Sequence, residues 1–217
     1  MCYNRAMSKR NYMKELDRIV QHAGAKKPRV LLHSCCGPCS SAVLETLTRD
    51  FDVTLLWFNP NLYPQEEFDR RFRTQTELIE KMGLADRVSI LAESRKHEEY
   101  LRRVKGLEDE PEGGARCTEC FRLRLVECAR LAGQYGFDYF CTTLTVSRYK
   151  DAERINALGE EAAKAFGVAW LPSDFKKRGG EERSRRLAEQ YGLYRQNYCG
   201  CEFSLRERAA RAEESAT

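Results

Sequence analysis

The chain has 217 residues, a length that suits one compact domain with at most a small appendage. Hydrophobic residues make up 42% of the sequence and charged residues 32%, so the composition supports a buried core and excludes wholesale disorder. No apolar run approaches the roughly 18 to 20 residues that cross a bilayer. The mixed, charged start of the chain also differs from a secretion signal. We therefore expect a soluble, cytoplasmic protein with no membrane partner.

The charge balance and the cysteine count narrow the possible classes of protein. The net charge is +4, from 37 Lys and Arg residues against 33 Asp and Glu residues, which neither requires nor excludes a nucleic-acid partner. Ten cysteines in 217 residues are too few for a disulfide scaffold. In a reducing compartment, grouped cysteines more often bind metal or carry out redox chemistry than crosslink a fold.

The predicted elements, taken in chain order, form three parts: a helical N-terminal extension (1–27), a single α/β catalytic domain (28–204) and a charged tail (205–217). The predicted strands of the domain are 29–36, 51–59, 88–92, 139–146 and 167–171. The predicted helices are 37–47, 64–82, a charged stretch around Tyr100, 117–135, one from about Asp151, and 180–191.

The alternation of these strands and helices implies parallel βαβ units with right-handed crossovers. The predicted fold is therefore α/β, an open and mostly parallel sheet of about five strands with helices on both faces. Ligands of such sheets bind beyond the carboxyl ends of the strands. This rule places the segments HSCC, FNPN, TVSR and PSDF on one rim.

Two cysteine groups lie where helices are predicted to begin. The CGPC segment at 36–39 has the spacing of a thioredoxin redox motif, but Cys35 directly before it and a second CxxC at Cys117 and Cys120 argue against a thioredoxin. Thiolates at helix N-termini are stabilised by the helix dipole and by free amides. Four cysteines could ligate either tetrahedral zinc or a [4Fe–4S] cluster: Cys35, Cys36, Cys117 and Cys120. We favour the cluster, because a CC pair at a strand end differs from the short knuckles of structural zinc.

A third group, Cys199-Gly200-Cys201, is predicted to be a redox pair. Glycine allows the sharp turn that a strained disulfide between the two cysteines needs, and strain makes such a bond labile. The alternative is two more metal ligands, acting with Cys39.

The remaining cysteines and one histidine are expected to have structural roles. Cys128 lies on the apolar stripe of its helix and Cys141 lies within a strand, both usual places for a small buried hydrophobe. Cys2 belongs to a terminus expected to fray. His33 is either a proton donor or a packed core histidine.

Cations interleaved with tyrosines in the C-terminal part suggest RNA recognition, since cations bind phosphates and aromatic rings stack on bases. A solvated helix face is the alternative interpretation. The candidate RNA-binding residues are Arg148, Lys150, Lys176, Lys177, Arg178 and Arg195. Glu66 and Asp69 are weaker candidates for pairing with arginines of the rim. The sequence has neither an SGGxDS nor a GxxxxGK[ST] phosphate loop, which disfavours an ATP-using enzyme.

Over about residues 30–204 the sequence resembles the QueH family of epoxyqueuosine reductases. Six segments carry the resemblance, in this order: HSCCGPCS, FNPNLYP, RCTECFRLRL, TTLTVSRYK, SDFKKRGGEERS and LYRQNYCGCEFS. The resemblance implies a cobalamin-independent oxidoreductase with an adenine-nucleotide-hydrolase-like, Rossmann-type fold. Its implied reaction reduces epoxyqueuosine to queuosine at the wobble position of tRNA, the last step of queuosine biosynthesis.

The resemblance also implies roles for particular residues. The family's [4Fe–4S] ligands match Cys35, Cys36, Cys117 and Cys120, and its redox-active pair matches Cys199 and Cys201. The family has a second iron beside the cluster, for which Cys39 is the candidate ligand here. The implied partners are a tRNA containing epoxyqueuosine and an unidentified electron donor.

Two other functions compete with the reductase. An iron–sulfur-dependent tRNA sulfurtransferase shares RNA binding and CxxC cysteines but needs the ATP loop that this sequence lacks. A zinc-stabilised RNA-binding module differs in its metal, since zinc is colourless and redox-silent.

Overall fold

A single five-stranded sheet organises the computed structural model of the chain, which describes residues 10–24 and 26–214. The strands are β1 (Arg29–His33), β2 (Asp52–Trp57), β3 (Ser89–Ala92), β4 (Tyr139–Thr142) and β5 (Ala169–Trp170). The helices of the described residues are α1 (Tyr12–His22), α2 (Gly37–Leu47), α3 (Gln65–Lys81), α4 (His97–Arg103), α5 (Ala115–Gln134), α6 (Ala152–Phe166), α7 (Gly180–Gln190) and α8 (Glu202–Glu214).

The strands run parallel in the order β3-β2-β1-β4-β5. The apolar residues of the central strand β1 are fully buried, which requires cover on both faces of the sheet. Helix α2 packs against α3 and α7, and α5 packs against α6, β1 and β4. The prediction of an open α/β sheet of about five strands is confirmed, and every strand pair is parallel.

The order of the strands reverses between β1 and β4. The chain builds outward from β1 to β3 and then returns to the other side of β1, where His33 is in register with Thr142. Open α/β sheets bind ligands outside the strand ends at such a switch point. The segments that follow His33 and Thr142 therefore lie at the expected position of a site.

The turn from β1 into α2 begins earlier than the sequence predicts, because 34–36 leave the sheet to start the helix. The Sγ of Cys36 caps α2 by accepting from the Cys39 backbone N–H at 3.3 Å. A Cβ at Gly37 would lie 2.9 Å from the Thr74 carbonyl oxygen of α3, so this position needs a glycine. The close approach fixes α3 beside the cysteines.

Other departures from the predicted elements also lie near strand ends. The strand predicted at 139–146 ends at Thr142, and Thr143–Val146 form a 3₁₀ turn. Thr142 begins this turn by accepting from the Leu144 N–H at 3.2 Å. Side-chain capping of this kind competes with continuation of a strand.

Helices occupy the described parts of both terminal segments. Helix α1 lies within residues 1–27, and its Asn11 side chain caps it by accepting from the Lys14 N–H at 3.1 Å. Cys2 lies outside the described residues. Helix α8 covers most of the expected tail and begins directly after Cys201, although its charged sequence gave no helix prediction. None of the described helices is long and apolar enough to span a bilayer.

Candidate active site

Three cysteines form a compact group of thiols at the switch point of the sheet. The Sγ atoms of Cys35, Cys36 and Cys39 all lie within 4.8 Å of one another. Hydrogen bonds from Cys36 and Cys39 hold the pKa of Cys35 well below its usual value, whereas burial raises the pKa of Cys36 to about 12. The group thus stabilises one thiolate and offers three soft ligands, which together can hold a metal ion.

Polar groups approach these thiols from a loop near the C-terminus. Gln196 Nε2 donates a hydrogen bond to the Sγ of Cys36 at 3.1 Å, while its buried Oε1 has no partner among the described residues. A buried, unpaired amide oxygen is costly unless a further group satisfies it. Its position beside Cys36 is consistent with a site that takes an additional ligand.

The second cysteine pair lies in the first two turns of α5. The backbone N–H of Gly113 donates to the Sγ of Cys117 at 3.2 Å, and Arg124 Nη2 donates to the Sγ of Cys120 at 3.3 Å. Burial raises the pKa of both thiols, for Cys120 to about 12. Like α2, this helix therefore begins beside a thiol, where its dipole favours negative charge.

Arg124 connects the two cysteine groups electrostatically. Its side chain is 2% exposed, and it forms no ion pair with any carboxylate of the described residues. Burial lowers the pKa of this guanidinium, but the charges of Cys120, Cys35 and Cys199 raise it by more. A buried cation needs compensating negative charge, and among the described residues the cysteines contribute the largest share of it. The donor set and its charge balance therefore fit an anionic thiolate-bound metal centre.

The CGC segment leads directly into α8. The N–H of Ser204 donates to the Sγ of Cys201 at 3.4 Å, so Cys201 lies at a third helix N-terminus. Gly200 has φ of +124°, and a Cβ there would lie 2.5 Å from Leu62 Cδ2 and 2.8 Å from Arg71 Nη1. Glycine is thus required between the two cysteines for backbone and steric reasons.

A buried arginine holds this segment against α3. Arg71 is 1% exposed and donates to the carbonyl oxygens of Cys199 at 3.0 Å and Tyr198 at 3.3 Å. Its Nε also pairs with Glu67 at 2.6 Å. Tyr194 donates its hydroxyl to the same carboxylate at 2.9 Å. Arg71 therefore fixes the backbone that carries the third cysteine group.

The three cysteine groups influence one another's charge. Burial is the main cause of the raised pKa of Cys120; Arg124 lowers it, and Cys199 and Cys201 raise it further. Cys201 also raises the pKa of Cys117. Burial lowers the pKa of Lys150, but Cys199, Cys35 and Cys39 raise it by more, which favours its ammonium form. Arg124 interacts with Cys120, Cys35 and Cys199, which belong to all three cysteine groups. Lys150 interacts with Cys199, Cys35 and Cys39.

Most of the other predicted cationic residues are ion-paired with carboxylates on the surface. The pairs are Arg148–Glu181 at 2.5 Å, Lys176–Asp174 at 2.5 Å, Arg178–Asp17 at 2.7 Å and Arg195–Glu189 at 3.7 Å. Lys177 is exposed. Of these candidates, the structure brings Lys150 close to the cysteines.

His33 is a packed core histidine, the second of its two predicted roles. Its Nε2 lies 3.1 Å from the Phe58 carbonyl oxygen and its Nδ1 lies 2.9 Å from the Thr142 hydroxyl. Burial lowers its pKa to about 4, so the ring is neutral. Cys128 and Cys141 are fully buried, which confirms their assignment to the core.

The charged residues that hold the site together are not among those predicted from the sequence. Neither Glu66 nor Asp69 pairs with an arginine among the described residues, whereas the neighbouring Glu67 pairs with Arg71. Arg71 and Arg124 lie on charged, amphipathic helices, where arginines are ordinarily solvated. The CxxC at the start of α5 indicates that this helix faces a site. Helix α3 contains no cysteine, and its signal is the preceding FNPN segment, which is predicted to lie on the rim.

The sequence is similar to proteins of one known family. The family model described as "Epoxyqueuosine reductase QueH" matches residues 30–207. A protein of that name from Staphylococcus epidermidis is 40% identical over 200 residues, covering 89% of this chain and 84% of the relative. Proteins of the same name from Streptococcus pyogenes and Thermotoga maritima are 39% and 32% identical, covering 88% and 85% of this chain and 78% and 94% of the relatives. The matched region includes all seven clustered cysteines.

Proposed function

The chain belongs to the epoxyqueuosine reductase QueH family, and from this we propose that it reduces epoxyqueuosine to queuosine at the wobble position of tRNA. It is then an oxidoreductase of tRNA modification that completes queuosine biosynthesis. The observation that carries the proposal is the buried cation Arg124, which interacts with Cys120, Cys35 and Cys199, one from each of the three cysteine groups. Together the three groups contain seven cysteines, whereas a purely structural metal site needs only four ligands.

Four of these cysteines are proposed to hold a [4Fe–4S] cluster: Cys35, Cys36, Cys117 and Cys120. Support comes from the two helix starts that carry them and from Arg124, which interacts with Cys35 on one side and Cys120 on the other. Cys39 is proposed to bind a second iron, since its Sγ lies within 4.8 Å of both Cys35 and Cys36. When bound, the cluster supplies single-electron transfer and the second iron Lewis acidity toward an epoxide oxygen.

Cys199 and Cys201 are proposed to be the two-electron reductant. Both carbon–oxygen bonds of the epoxide break, a carbon–carbon double bond forms, and the oxygen leaves as water. This change consumes two electrons and two protons, which the two thiols provide as they become a disulfide. An electron donor of unidentified type must then return two electrons and two protons to that disulfide before the next turnover.

The polypeptide itself orients the reductant. Arg71 holds the Cys199 carbonyl at 3.0 Å, and the Tyr63 N–H donates to the Gly200 carbonyl at 2.8 Å. Lys150 places positive charge near Cys199. These contacts keep the thiols at the rim where the ribonucleotide of a tRNA must enter.

The decisive experiment measures iron, zinc and acid-labile sulfide on protein purified without oxygen, together with its visible spectrum. We expect at least four irons and four sulfides per chain and a brown band that dithionite bleaches. Turnover is followed by digesting the tRNA and quantifying epoxyqueuosine and queuosine by mass spectrometry. Stoichiometric zinc without sulfide would contradict the reductase and support the zinc-stabilised RNA-binding module.

A pair of variants separates the reductant from the cluster ligands. Cys201→Ser is expected to keep its iron and sulfide but lose turnover. The matched control, Cys128→Ala, removes a buried thiol in the core and is expected to keep both. Loss of iron in Cys201→Ser would reassign that cysteine to metal binding.

A further inference from the structure

A cationic groove lies on the surface beside the cysteines, between α3 and the segment that follows α7. Its lining residues are Arg70, Arg73, Thr74, Glu77, Gly192, Leu193 and Tyr194, and its volume is about 410 Å³. Ligand sites in proteins usually have volumes of about 300 to 1,000 Å³. The groove therefore has room for one nucleotide unit.

The two arginines of the groove are not neutralised by the carboxylates around them. Within the part of the chain that the structure describes, neither Arg70 nor Arg73 forms an ion pair. Glu77, which also lines the groove, pairs with Lys81 at 3.8 Å. Glu67 is occupied by Arg71 and Tyr194. Four of the cations predicted to bind RNA are already ion-paired, so a phosphate must first displace their carboxylate partners. These cations are Arg148, Lys176, Arg178 and Arg195.

Arg70 and Tyr194 form a stacked platform. The guanidinium carbon of Arg70 lies 3.5 Å from the centroid of the Tyr194 ring. The guanidinium thus lies over one face of the ring, and both residues line the groove. Unpaired RNA bases stack on aromatic rings and on guanidinium planes of this kind. Arg73, three residues along the same helix, supplies a cation for the adjacent phosphate.

The groove is connected to the cysteine site by short covalent and hydrogen-bonded paths. Tyr194 and Cys199 are five residues apart, so the backbone between them spans at most about 18 Å. The Tyr194 hydroxyl binds Glu67, Glu67 binds Arg71, and Arg71 binds the Cys199 carbonyl. A nucleotide in the groove would be a near neighbour of one whose base reaches the thiols.

We propose that this groove binds an unpaired nucleotide of the tRNA anticodon loop that neighbours the reacting nucleotide. Arg73 contacts its phosphate, and its base stacks on the Arg70–Tyr194 platform. The inference rests on the proposed function for the identity of the RNA. It adds a subsite and names residues outside the predicted set of tRNA-binding residues.

The test measures binding of a fluorescent, unmodified anticodon stem-loop transcript by anisotropy at several salt concentrations. We expect Arg73→Ala to weaken binding about tenfold and to reduce the slope of log K against log salt by about 0.7 to 0.9, the value for one phosphate contact. Arg70→Ala and Tyr194→Ala are expected to weaken binding by about tenfold through lost stacking. The slope should be unchanged in Tyr194→Ala, which removes no charge.

Arg49→Ala is the matched control, because it removes an exposed cation just before the amino-terminal end of β2, opposite the rim that carries the cysteines. If all three groove variants bind the stem-loop transcript as tightly as Arg49→Ala does, the proposed subsite is wrong. Binding is measured without turnover, so the two proposals can fail separately. A wild-type protein that binds RNA through the groove but leaves epoxyqueuosine unreduced would refute the function alone. A wild type that reduces epoxyqueuosine while the groove variants bind normally would refute the groove alone.

Discussion

Arg71 Nη1 donates a hydrogen bond to the Cys199 carbonyl oxygen at 3.0 Å, from a side chain that is 1% exposed. One guanidinium thereby joins α3 to the CGC segment. Its Nε binds Glu67 and its Nη2 donates to the Tyr198 carbonyl. Because it bonds to the backbone beside a thiol, we assign Arg71 as a positioning residue for Cys199 and Cys201.

Arg71→Lys is expected to lower turnover by about 10- to 100-fold, since one ammonium cannot reproduce a planar fork that holds a carboxylate and two carbonyls. Iron and sulfide should be retained, because Arg71 forms no bond to a proposed cluster ligand. The readout is single-turnover formation of queuosine, together with the rate at which Cys199 is alkylated. A purely structural role would lower the melting temperature and leave the alkylation rate of the folded protein unchanged.

The matched control for Arg71→Lys is Arg87→Lys. Arg87 also donates to a backbone carbonyl, that of Thr48 at 2.8 Å, but at the C-terminal end of α2, whereas the cysteines lie at its N-terminal end. We expect Arg87→Lys to react at the wild-type rate. Equal turnover in both variants would contradict the positioning role of Arg71.

Gly200→Ala tests whether the bend between the two thiols is required. The added methyl group would lie 2.5 Å from Leu62 Cδ2 and 2.8 Å from Arg71 Nη1, on a backbone with φ of +124°. We expect the free energy of unfolding to fall by about 1 to 3 kcal/mol and turnover to be lost. Gly83→Ala is the control, since Gly83 also has positive φ, +66°, but open space around its Cβ position. The free energy of unfolding is measured by chemical denaturation and turnover by queuosine formation. Wild-type values of both in Gly200→Ala would show that the bend is not required.

Cys39→Ser separates the second iron from the cluster. The Sγ of Cys39 lies with those of Cys35 and Cys36, although only the latter two are proposed cluster ligands. We expect the variant to keep four irons and four sulfides and to lose any iron beyond four. Iron and sulfide assays on protein purified without oxygen decide the matter. Loss of all iron would instead make Cys39 a cluster ligand.

The sequence predicted the sheet and the cysteine groups because their signals are local. Buried strands such as β1 appear as continuous apolar runs, and cysteines two or three residues apart at a helix start must lie close together. Arg71 and Arg124 escaped prediction because their burial depends on packing between distant segments, 128 residues apart for Arg71 and Cys199. Helix α8 escaped because charged residues dominate it, while Phe203 anchors it through a long-range contact with Tyr100.

Arg124→Met tests whether a buried cation balances the charge of the metal centre. Arg124 is 2% exposed, donates to the Sγ of Cys120, and has no carboxylate partner among the described residues. Without metal, an unpaired buried cation is costly, so the apo variant should melt at or above the wild-type temperature. With metal, the variant should lose iron faster to a chelator, because the thiolates lack their counter-charge.

The control is Arg130→Met on the same helix, which removes a guanidinium paired with Glu127 and should leave iron retention unchanged. A lower apo melting temperature with normal iron retention would show that Arg124 stabilises the fold and not the metal centre.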